Sequence, residues 1–203
     1  MSRAAAGARR RWQAAGGFTM IELLVVLAIA AIVLAIAAPL TANVKDASRV
    51  RHAAGFAATR FRAARQQAVA QERSVALVFD LVGADWTFRV CADGNGNGVR
   101  RAEIGTGTDD CAEGPYLFSA LYPTVEVAVD PALPGPDGTE GTSDPVKFGV
   151  SDIASFSPTG SCTAGSLYLR SAHGTQYAIR VSGITGRTRI LRFDPATSTW
   201  KVA

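Results

Sequence analysis

The feature that most constrains this chain is an apolar run, Phe18–Leu40, that stands directly behind a short basic segment ending in Gly17. A secretory signal peptide places its small-residue cleavage site after the apolar stretch, whereas here the small residues precede it. Cleavage after Gly17 would therefore remove the basic segment and keep the apolar run. As a helix, the run is about long enough to cross a bilayer.

The basic segment, residues 1–17, has four arginines and no acid. Basic residues beside a membrane segment favour the cytoplasmic side. The sequence therefore predicts a single-pass chain whose N-terminus is cytoplasmic and whose bulk lies outside the cytoplasm. Removal of the four arginines from the 21 Lys and Arg residues leaves 17 bases against 17 acids, so the processed chain is near neutral.

The charge that remains is segregated along the chain. Seven bases and two acids lie between Lys45 and Arg73, thirteen acids and four bases between Asp80 and Asp152, and six bases and one acid from Arg170 onward. Two basic segments therefore flank an acidic middle. The first basic segment is either a surface for acidic lipids or a neighbouring subunit, or the solvated face of a helix.

Glu22 interrupts the apolar run near its start. A carboxylate at mid-bilayer depth costs about 2.5–3.5 kcal/mol, so an ionisable residue in such a segment indicates a functional role. The alternative is a glutamate close enough to the lipid headgroups to stay hydrated.

An apolar period of three and four residues continues behind the run and marks one face of a helix. Its members are Ala47, Val50, Ala54, Ala57, Phe61, Ala64 and Ala68. The pattern predicts one helix over Phe18–Gln71, about 80 Å long if unbroken. Residues 41–73 form its amphipathic second half, which we expect to lie on a β-rich globular domain, residues 74–203.

Behind Ser74 the pattern changes to short stretches rich in β-branched and aromatic residues, separated by Gly, Pro, Asn and Asp. A long helix followed by many strands predicts an α+β fold in which an antiparallel sheet packs on the helix. Residues 130–144 are rich in Pro and Gly and are predicted to form a surface loop. The predicted strands are Val75–Asp80, Trp86–Cys91, Val125–Val129, Ile153–Phe156, Ser166–Arg170, Gln176–Val181, Arg187–Phe193 and Trp200–Val202.

Three cysteines, Cys91, Cys111 and Cys162, lie in the part of the chain that would be exported, where disulfides are permitted. Their spacing shows no CxxC pair and no Cys/His metal pattern. Cys91 with Cys111 is the preferred pair because the two bracket one loop, which leaves Cys162 odd. The other pairings stay open at the level of sequence.

Five stretches of the sequence resemble a known class of proteins. Gly17-Phe18-Thr19-Met20-Ile21-Glu22, followed by an apolar helix, resembles the N-terminus of type IV prepilins. The resemblance implies a pilin-like fold, with a long N-terminal helix packed on a C-terminal antiparallel β-sheet domain. Four further stretches resemble the GspH/FimT branch of pseudopilins and minor pilins, namely Arg-Gln-Gln-Ala-Val-Ala at 65–70, Asp-Gly-Asn-Gly-Asn-Gly at 93–98, Phe-Ser-Pro-Thr-Gly at 156–160 and Gly-Arg-Thr-Arg at 186–189.

The resemblance also implies how the chain is processed and assembled. A prepilin peptidase would cut after Gly17 and methylate the new N-terminal Phe18, and the Glu22 carboxylate would pair with the N-terminal amine of a neighbouring subunit. Pro39 matches a proline that the class carries near the end of the buried half-helix, where proline opens the hydrogen-bond ladder. The implied partners are other pilin or pseudopilin subunits, the peptidase and the inner membrane. The globular domain would be periplasmic, in a type IV pilus or a type II secretion pseudopilus.

Gly186-Arg187-Thr188-Arg189 is the first candidate binding segment, and Arg180 and Arg192 lie near it in sequence. On a strand, Arg187 and Arg189 point to the same face. Arginines grouped in this way bind phosphates through forked, charge-assisted hydrogen bonds. The segment resembles the DNA-contacting element of FimT-like minor pilins, which implies an alternative function in DNA uptake during natural transformation. The other interpretation is a hairpin with a Gly turn and two solvated arginines.

Asp93-Gly94-Asn95-Gly96-Asn97-Gly98 begins like a calcium-binding loop, with oxygen ligands at alternate positions and a Gly at the sixth. The twelfth position, where a bidentate glutamate belongs, is Ile104, and Glu103 is one residue short. A Gly/Asn turn between strands is the favoured interpretation, so no cofactor is expected. If Ca²⁺ does bind, the expected ligands are Asp93, Asn95, Asn97 and Glu103.

No catalytic constellation is evident. The two histidines, His52 and His173, have no recognisable partner spacing, and the sequence has no nucleophile elbow, P-loop or metalloprotease motif. We therefore expect a substrate of a peptidase rather than an enzyme.

Overall fold

The computed structural model describes residues 17–203, except for the side chains of residues 37–43. The predicted leader therefore lies outside the described residues apart from Gly17, and so does the side chain of Pro39. The chain divides into two units, of which the first ends at Thr41. The second, Ala42–Ala203, is called the globular unit below.

The first helix, α1, extends from Met20 to Ala70. Thr19 caps its N-terminus, because its hydroxyl accepts the backbone N–H of Glu22 at 3.2 Å and its carbonyl accepts the N–H of Leu23 at 3.1 Å. A Thr cap with Glu three residues later is the capping-box pattern, and the Glu22 charge also suits the positive end of the helix dipole. The helix expected over 18–71 is thus confirmed, with slightly shorter ends.

The apolar side chains of α1 between Phe18 and Ile36 are exposed; Leu23 and Ile32, for example, are 54% and 62% exposed. In the part of the chain that the structure describes, no helix combines the length and the hydropathy needed to cross a bilayer. The transmembrane segment expected over 18–40 is therefore not confirmed.

Two antiparallel sheets follow α1, which confirms the α+β class with a pilin-like arrangement of one long helix and a β-rich domain. One sheet has the strand order β3-β2-β1-β6, and the other has the order β10-β9-β8-β7-β4, with β5 also pairing with β7. The elements are β1 (Val75–Val82), β2 (Asp85–Ala92), α2 (Arg101–Thr106), β3 (Asp110–Leu117), α3 (Phe118–Leu121), β4 (Val125–Glu126), β5 (Val146–Lys147), β6 (Ile153–Phe156), β7 (Gly165–Ser171), β8 (Gln176–Val181), β9 (Thr188–Asp194) and β10 (Thr199–Val202).

One hydrophobic cluster contains residues of α1 and of both sheets, so the second half of α1 packs against both. Phe61 is fully buried at its centre, with ring centroids 5.4 Å from Phe148 and 6.2 Å from Phe79. The predicted apolar face is buried except for the half-exposed Ala47. The α1 residues of this cluster are Val50, Ala53, Ala54, Ala57, Ala58, Phe61, Ala64 and Ala68.

Strand β3 is the longest of the elements that the sequence pattern missed; the others are α2, α3 and the two-residue β5. It contains Gly114-Pro115, which normally marks a turn, and its exposure alternates only weakly. It forms the outer edge of its sheet, where a proline without an N–H is tolerated. Cys111 on β3 is the direct cross-strand neighbour of Cys91 on β2, and the two form a disulfide.

Replacing Cys91 with Ser should lower the stability of the globular unit. The disulfide closes a loop with a sequence separation of 20, and a cross-link of that size is worth about 3 kcal/mol. Urea denaturation under oxidising conditions measures the change. Cys162 is the matched control, because burial raises the pKa of its thiol to about 12 and it forms no disulfide in the structure. A reductant should lower the midpoint of Cys162→Ser but leave that of Cys91→Ser unchanged; equal midpoints for the two variants would contradict the bridge.

Candidate functional site

The N-terminal side chains that are predicted to act in processing and assembly are exposed to solvent. Phe18 is 79% exposed and precedes the Thr19 cap, and Glu22 lies in the first turn of α1. Within residues 17–203, no hydrogen bond or ion pair to the Glu22 carboxylate is found. If the chain begins at Phe18, its amine lies near the positive end of the helix dipole, where a positive charge is unfavourable. A carboxylate from another subunit would relieve that repulsion.

The β2–β3 loop is organised around the carboxylate of Asp93, which is 4% exposed. Its Oδ1 accepts the backbone N–H groups of Asn95 at 3.0 Å and Gly96 at 2.8 Å, and its Oδ2 accepts that of Gly98 at 2.6 Å. Burial opposes ionisation, but these N–H donors outweigh it and hold the pKa of Asp93 below its ordinary value.

The carboxylate of Asp109 also stabilises this loop, a role that was not predicted from the sequence. It is 2% exposed and accepts the backbone N–H of Gly94 at 3.1 Å and that of Arg100 at 2.7 Å. The sequence feature from which this role could have been predicted is the position of Asp109, two residues before Cys111 and inside the loop that the disulfide closes.

The four expected calcium ligands are only partly arranged as a cation site. Glu103 lies with the two asparagines, accepting Asn95 Nδ2 at 3.0 Å and Asn97 Nδ2 at 2.8 Å, whereas the Asp93 oxygens face backbone N–H groups. In this arrangement N–H donors occupy the oxygens that would ligate an ion, so the residues do not fit a bound Ca²⁺. No group of three or more His, Cys, Asp or Glu side chains suited to a metal is found across residues 17–203.

The four arginines expected to form one DNA-binding group lie in different places. Arg180 and Arg189 are direct neighbours across β8 and β9, and Arg180 donates to Asp137 at 3.1 Å. Arg187 and Arg192 instead line cavities beside α1. β9 begins at Thr188, so Arg187 lies just before the strand and Arg189 lies within it, and the shared strand face of these two arginines stays a prediction.

The two cavities beside α1 are basic. Arg187 lines a cavity of about 630 Å³ together with Arg62 and Arg65, and Arg192 lines another of about 450 Å³ together with Arg51. From the sequence, the α1 arginines are either a surface for acidic lipids or a neighbouring subunit, or the solvated face of a helix. The fold adds to them two arginines that are more than a hundred residues away in sequence.

Arg65 joins three of the stretches that carry the family resemblance. It begins the stretch at 65–70, and its Nε donates to the carbonyl of Gly160, at the end of the stretch at 156–160, at 3.1 Å. A Cβ on Gly186, the first residue of the stretch at 186–189, would lie 2.7 Å from the Arg65 Nε and 2.4 Å from the Gly160 carbonyl oxygen. The two glycines therefore leave the space through which the arginine side chain passes.

Comparison with known proteins supports the interpretation of the N-terminus. Residues 12–38 match the family model described as the prokaryotic N-terminal methylation motif. The match supports a type IV prepilin-like protein, which is processed by a prepilin peptidase and assembles with other pilin subunits. It does not extend into the globular unit, so membership of the GspH/FimT branch is not confirmed. Searches of curated proteins and of solved structures find no match.

Replacing Gly186 with Ala should destabilise the globular unit by about 1–3 kcal/mol, because the new Cβ would press on Arg65 and Gly160 and the backbone is left-handed, with φ +58°. Gly174→Ala is the matched control: its φ is +83°, but a Cβ there meets open space. Denaturation midpoints of the two variants separate the steric contribution from the backbone contribution. Equal losses would show that the Arg65 contact contributes nothing.

Replacing Asp93 with Ala should destabilise the globular unit by about 1–3 kcal/mol, because three backbone N–H groups lose their acceptor. Because the folded-state pKa of Asp93 is lowered, its contribution is present above the ordinary pKa of 3.8 and is lost as the pH falls through the folded value. Thermal melts of the wild type and the variant between pH 7 and pH 2 should therefore converge at low pH.

Melting the wild type with CaCl₂, and with MgCl₂ as the control, tests the calcium prediction, which a Ca²⁺-specific rise in Tm would support.

Proposed function

We propose that this chain is a minor pilin or pseudopilin of the GspH/FimT kind, a subunit of a type IV pilus or a type II secretion pseudopilus that is assembled through its N-terminal helix. The observation that carries the proposal is the exposed apolar half of α1, which begins at Met20 behind the Thr19 cap and has Glu22 in its first turn. This half lies within the residues that match the methylation motif.

The proposed mechanism is assembly rather than catalysis. Cleavage after Gly17 frees the Phe18 amine, and methylation keeps its positive charge. In the filament, the Glu22 carboxylate of one subunit pairs with the amine of its neighbour, because each charge is costly alone in an apolar bundle and tolerable as a pair. The exposed apolar side chains are then covered by equivalent helices of other subunits, while the globular unit is displayed on the outside.

The proposed location follows from the same segment. Before assembly the chain is anchored at the inner membrane through its N-terminal apolar run, with the N-terminus cytoplasmic and the globular unit periplasmic. The Cys91–Cys111 disulfide supports an oxidising compartment for that unit. In this proposal the chain is a substrate of the prepilin peptidase and not itself an enzyme.

DNA binding in natural transformation is a second candidate function. Its support is that Arg187, Arg189 and Arg192 make no ion pair within the described range 17–203, so their guanidinium groups are available to phosphates. Arg180 contributes less, since Asp137 already neutralises it.

Replacing Glu22 with Ala should abolish incorporation into filaments while leaving the globular unit folded, because Glu22 lies in the first unit of the chain and not in the globular unit. Immunoblots of sheared filaments measure incorporation, and mass spectrometry of the N-terminus checks that cleavage and methylation still occur. Glu72→Ala, which removes an exposed glutamate just after α1, should incorporate normally. Normal incorporation of Glu22→Ala would contradict the assembly role.

If the DNA-binding candidate is correct, the double variant Arg187→Gln/Arg189→Gln should bind DNA more weakly than the wild type. On a single strand, each phosphate contact contributes about 0.7 to the magnitude of the slope of log K against log salt, so this magnitude should fall by roughly 1.4. Titration of a single-stranded oligonucleotide at several salt concentrations measures the slope. Arg73→Gln/Arg100→Gln removes the same charge elsewhere and should leave it unchanged; absence of wild-type binding at low salt would rule out this function.

A further inference from the structure

Three cavities that share lining residues make up a groove along the exposed side of α1. The two basic cavities already described are joined by a third, of about 530 Å³, which shares Arg51 with one and Arg62 with the other. Between Arg51 and Gln66 the groove follows α1 for about 22 Å at 1.5 Å per residue. This surface is called the α1 groove below.

The floor and walls of the α1 groove suit a polypeptide. Gly55 and Thr59 are small residues on the α1 floor, and a Cβ on Gly55 would meet open space. Phe56, Tyr122 and Ile190 contribute apolar surface beside them. An extended segment could therefore lie in the groove with side chains against apolar walls as well as against charges.

Arginines that make no ion pair concentrate in this groove. Six arginines of the globular unit make ion pairs, and none of the six lines the groove. Among residues 17–203, eight arginines make no ion pair, and five of these line it, namely Arg51, Arg62, Arg65, Arg187 and Arg192. The one acidic side chain that lines the groove, Asp194, is paired with Lys201. Grouped like charges in a concave surface raise its positive potential, which favours a negatively charged occupant.

A matching acidic surface exists on the same chain. Residues 109–152 contain nine acids and one base. Glu140 and Asp144 are exposed, and neither side chain forms an ion pair in the part of the chain described here. Burial, together with the negative charge of Asp144, raises the pKa of nearby Asp152. Residues 137–144 are called the acidic loop below.

The acidic loop and the α1 groove lie on opposite faces of the β10-β9-β8-β7-β4 sheet. The Trp200 indole donates to the Pro134 carbonyl at 2.7 Å, and Arg180 holds Asp137 at 3.1 Å. Trp200 packs in a small cluster that is separate from the α1 core, whereas Tyr177 and Ile190 on the other face belong to or pack against that core. One copy of the chain therefore presents two complementary surfaces that cannot meet within the same molecule.

We propose that the α1 groove of one copy binds the acidic loop of a second copy, as a head-to-tail contact between neighbouring subunits. Because the two surfaces differ and lie on opposite faces, the contact is heterologous and can repeat along an open filament. It rests on the proposed assembly function and adds to it a contact between globular units. The processed chain has 17 bases and 17 acids, so it has little net charge to attract a polyanion from a distance. Complementarity between copies therefore fits better than a nucleic acid.

Cysteine cross-linking tests which surfaces meet. Two differently tagged full-length chains, both carrying Cys162→Ser, are mixed in detergent: one has Thr59→Cys in the groove and the other Ser143→Cys in the acidic loop. Oxidation should link the two tags. Pairs with both cysteines at 59, or both at 143, are the matched controls and should link at least tenfold less. Equal linking in all three pairs, or none in the mixed pair, would overturn the proposal.

Charge reversal tests the cause of the contact. Arg51→Glu/Arg62→Glu in the groove chain should lower the 59–143 link about tenfold, and Glu140→Arg/Asp144→Arg in the loop chain should restore it. Arg73→Glu/Arg100→Glu, outside the groove, should leave the link unchanged. Failure of the restoring pair would contradict the charge complementarity. If the groove reversal leaves the link intact and removes binding to single-stranded DNA, the groove is a nucleic-acid site and the proposal is wrong.

Glu22→Ala, measured in parallel, separates this contact from the assembly proposal. The variant should keep the 59–143 link in detergent although it fails to enter filaments. If the 59–143 link does not form and Glu22→Ala still fails to enter filaments, only the groove contact is refuted. An intact link with normal incorporation of Glu22→Ala would refute the assembly role alone.

Discussion

The globular unit depends on the shared burial of one face of α1 between two sheets. The buried positions are mostly alanines, and they belong to one hydrophobic cluster together with side chains of both sheets. Phe61 supplies the bulk at the centre, among Phe79, Phe148 and Phe156. Full burial of such a ring contributes about 1.5–3 kcal/mol, and neither sheet alone would cover it.

Much of this fold follows from local sequence patterns. The three–four spacing of Val50, Ala54, Ala57 and Phe61 predicts the helix face, and alternating β-branched stretches locate β1, β2, β6, β7, β8, β9 and β10. The prepilin-like N-terminus can also be predicted from the sequence, because small residues before an apolar run and a glutamate within that run are unusual features. These signals are local, so a single chain reveals them.

The rest depends on contacts that are distant in sequence. Strand β3 contains turn residues and forms because β2 and the disulfide hold it at an edge. The lining of cavities beside α1 by Arg187 and Arg192 depends on how the last strands pack against the helix, which local periodicity cannot give. The α1 groove combines arginines of the first and last basic segments, and only the folded chain shows that Asp194, on β9, is the single acid lining it.

The Thr19 cap fixes where α1 can start, and this position has a consequence for processing. Residues 17–19 lie outside the helix, so the peptide bond between Gly17 and Phe18 is in non-helical chain. Proteolysis concentrates in such segments, because helical backbone must unwind before it fits a protease. Thr19 is the second residue after this bond, so a cut at this predicted position would leave a helix whose first turn is already capped. The Thr19 cap would therefore leave the predicted cleavage site in accessible, non-helical chain. It would also give the cleaved chain a helix whose N-terminus is already formed for packing against other subunits.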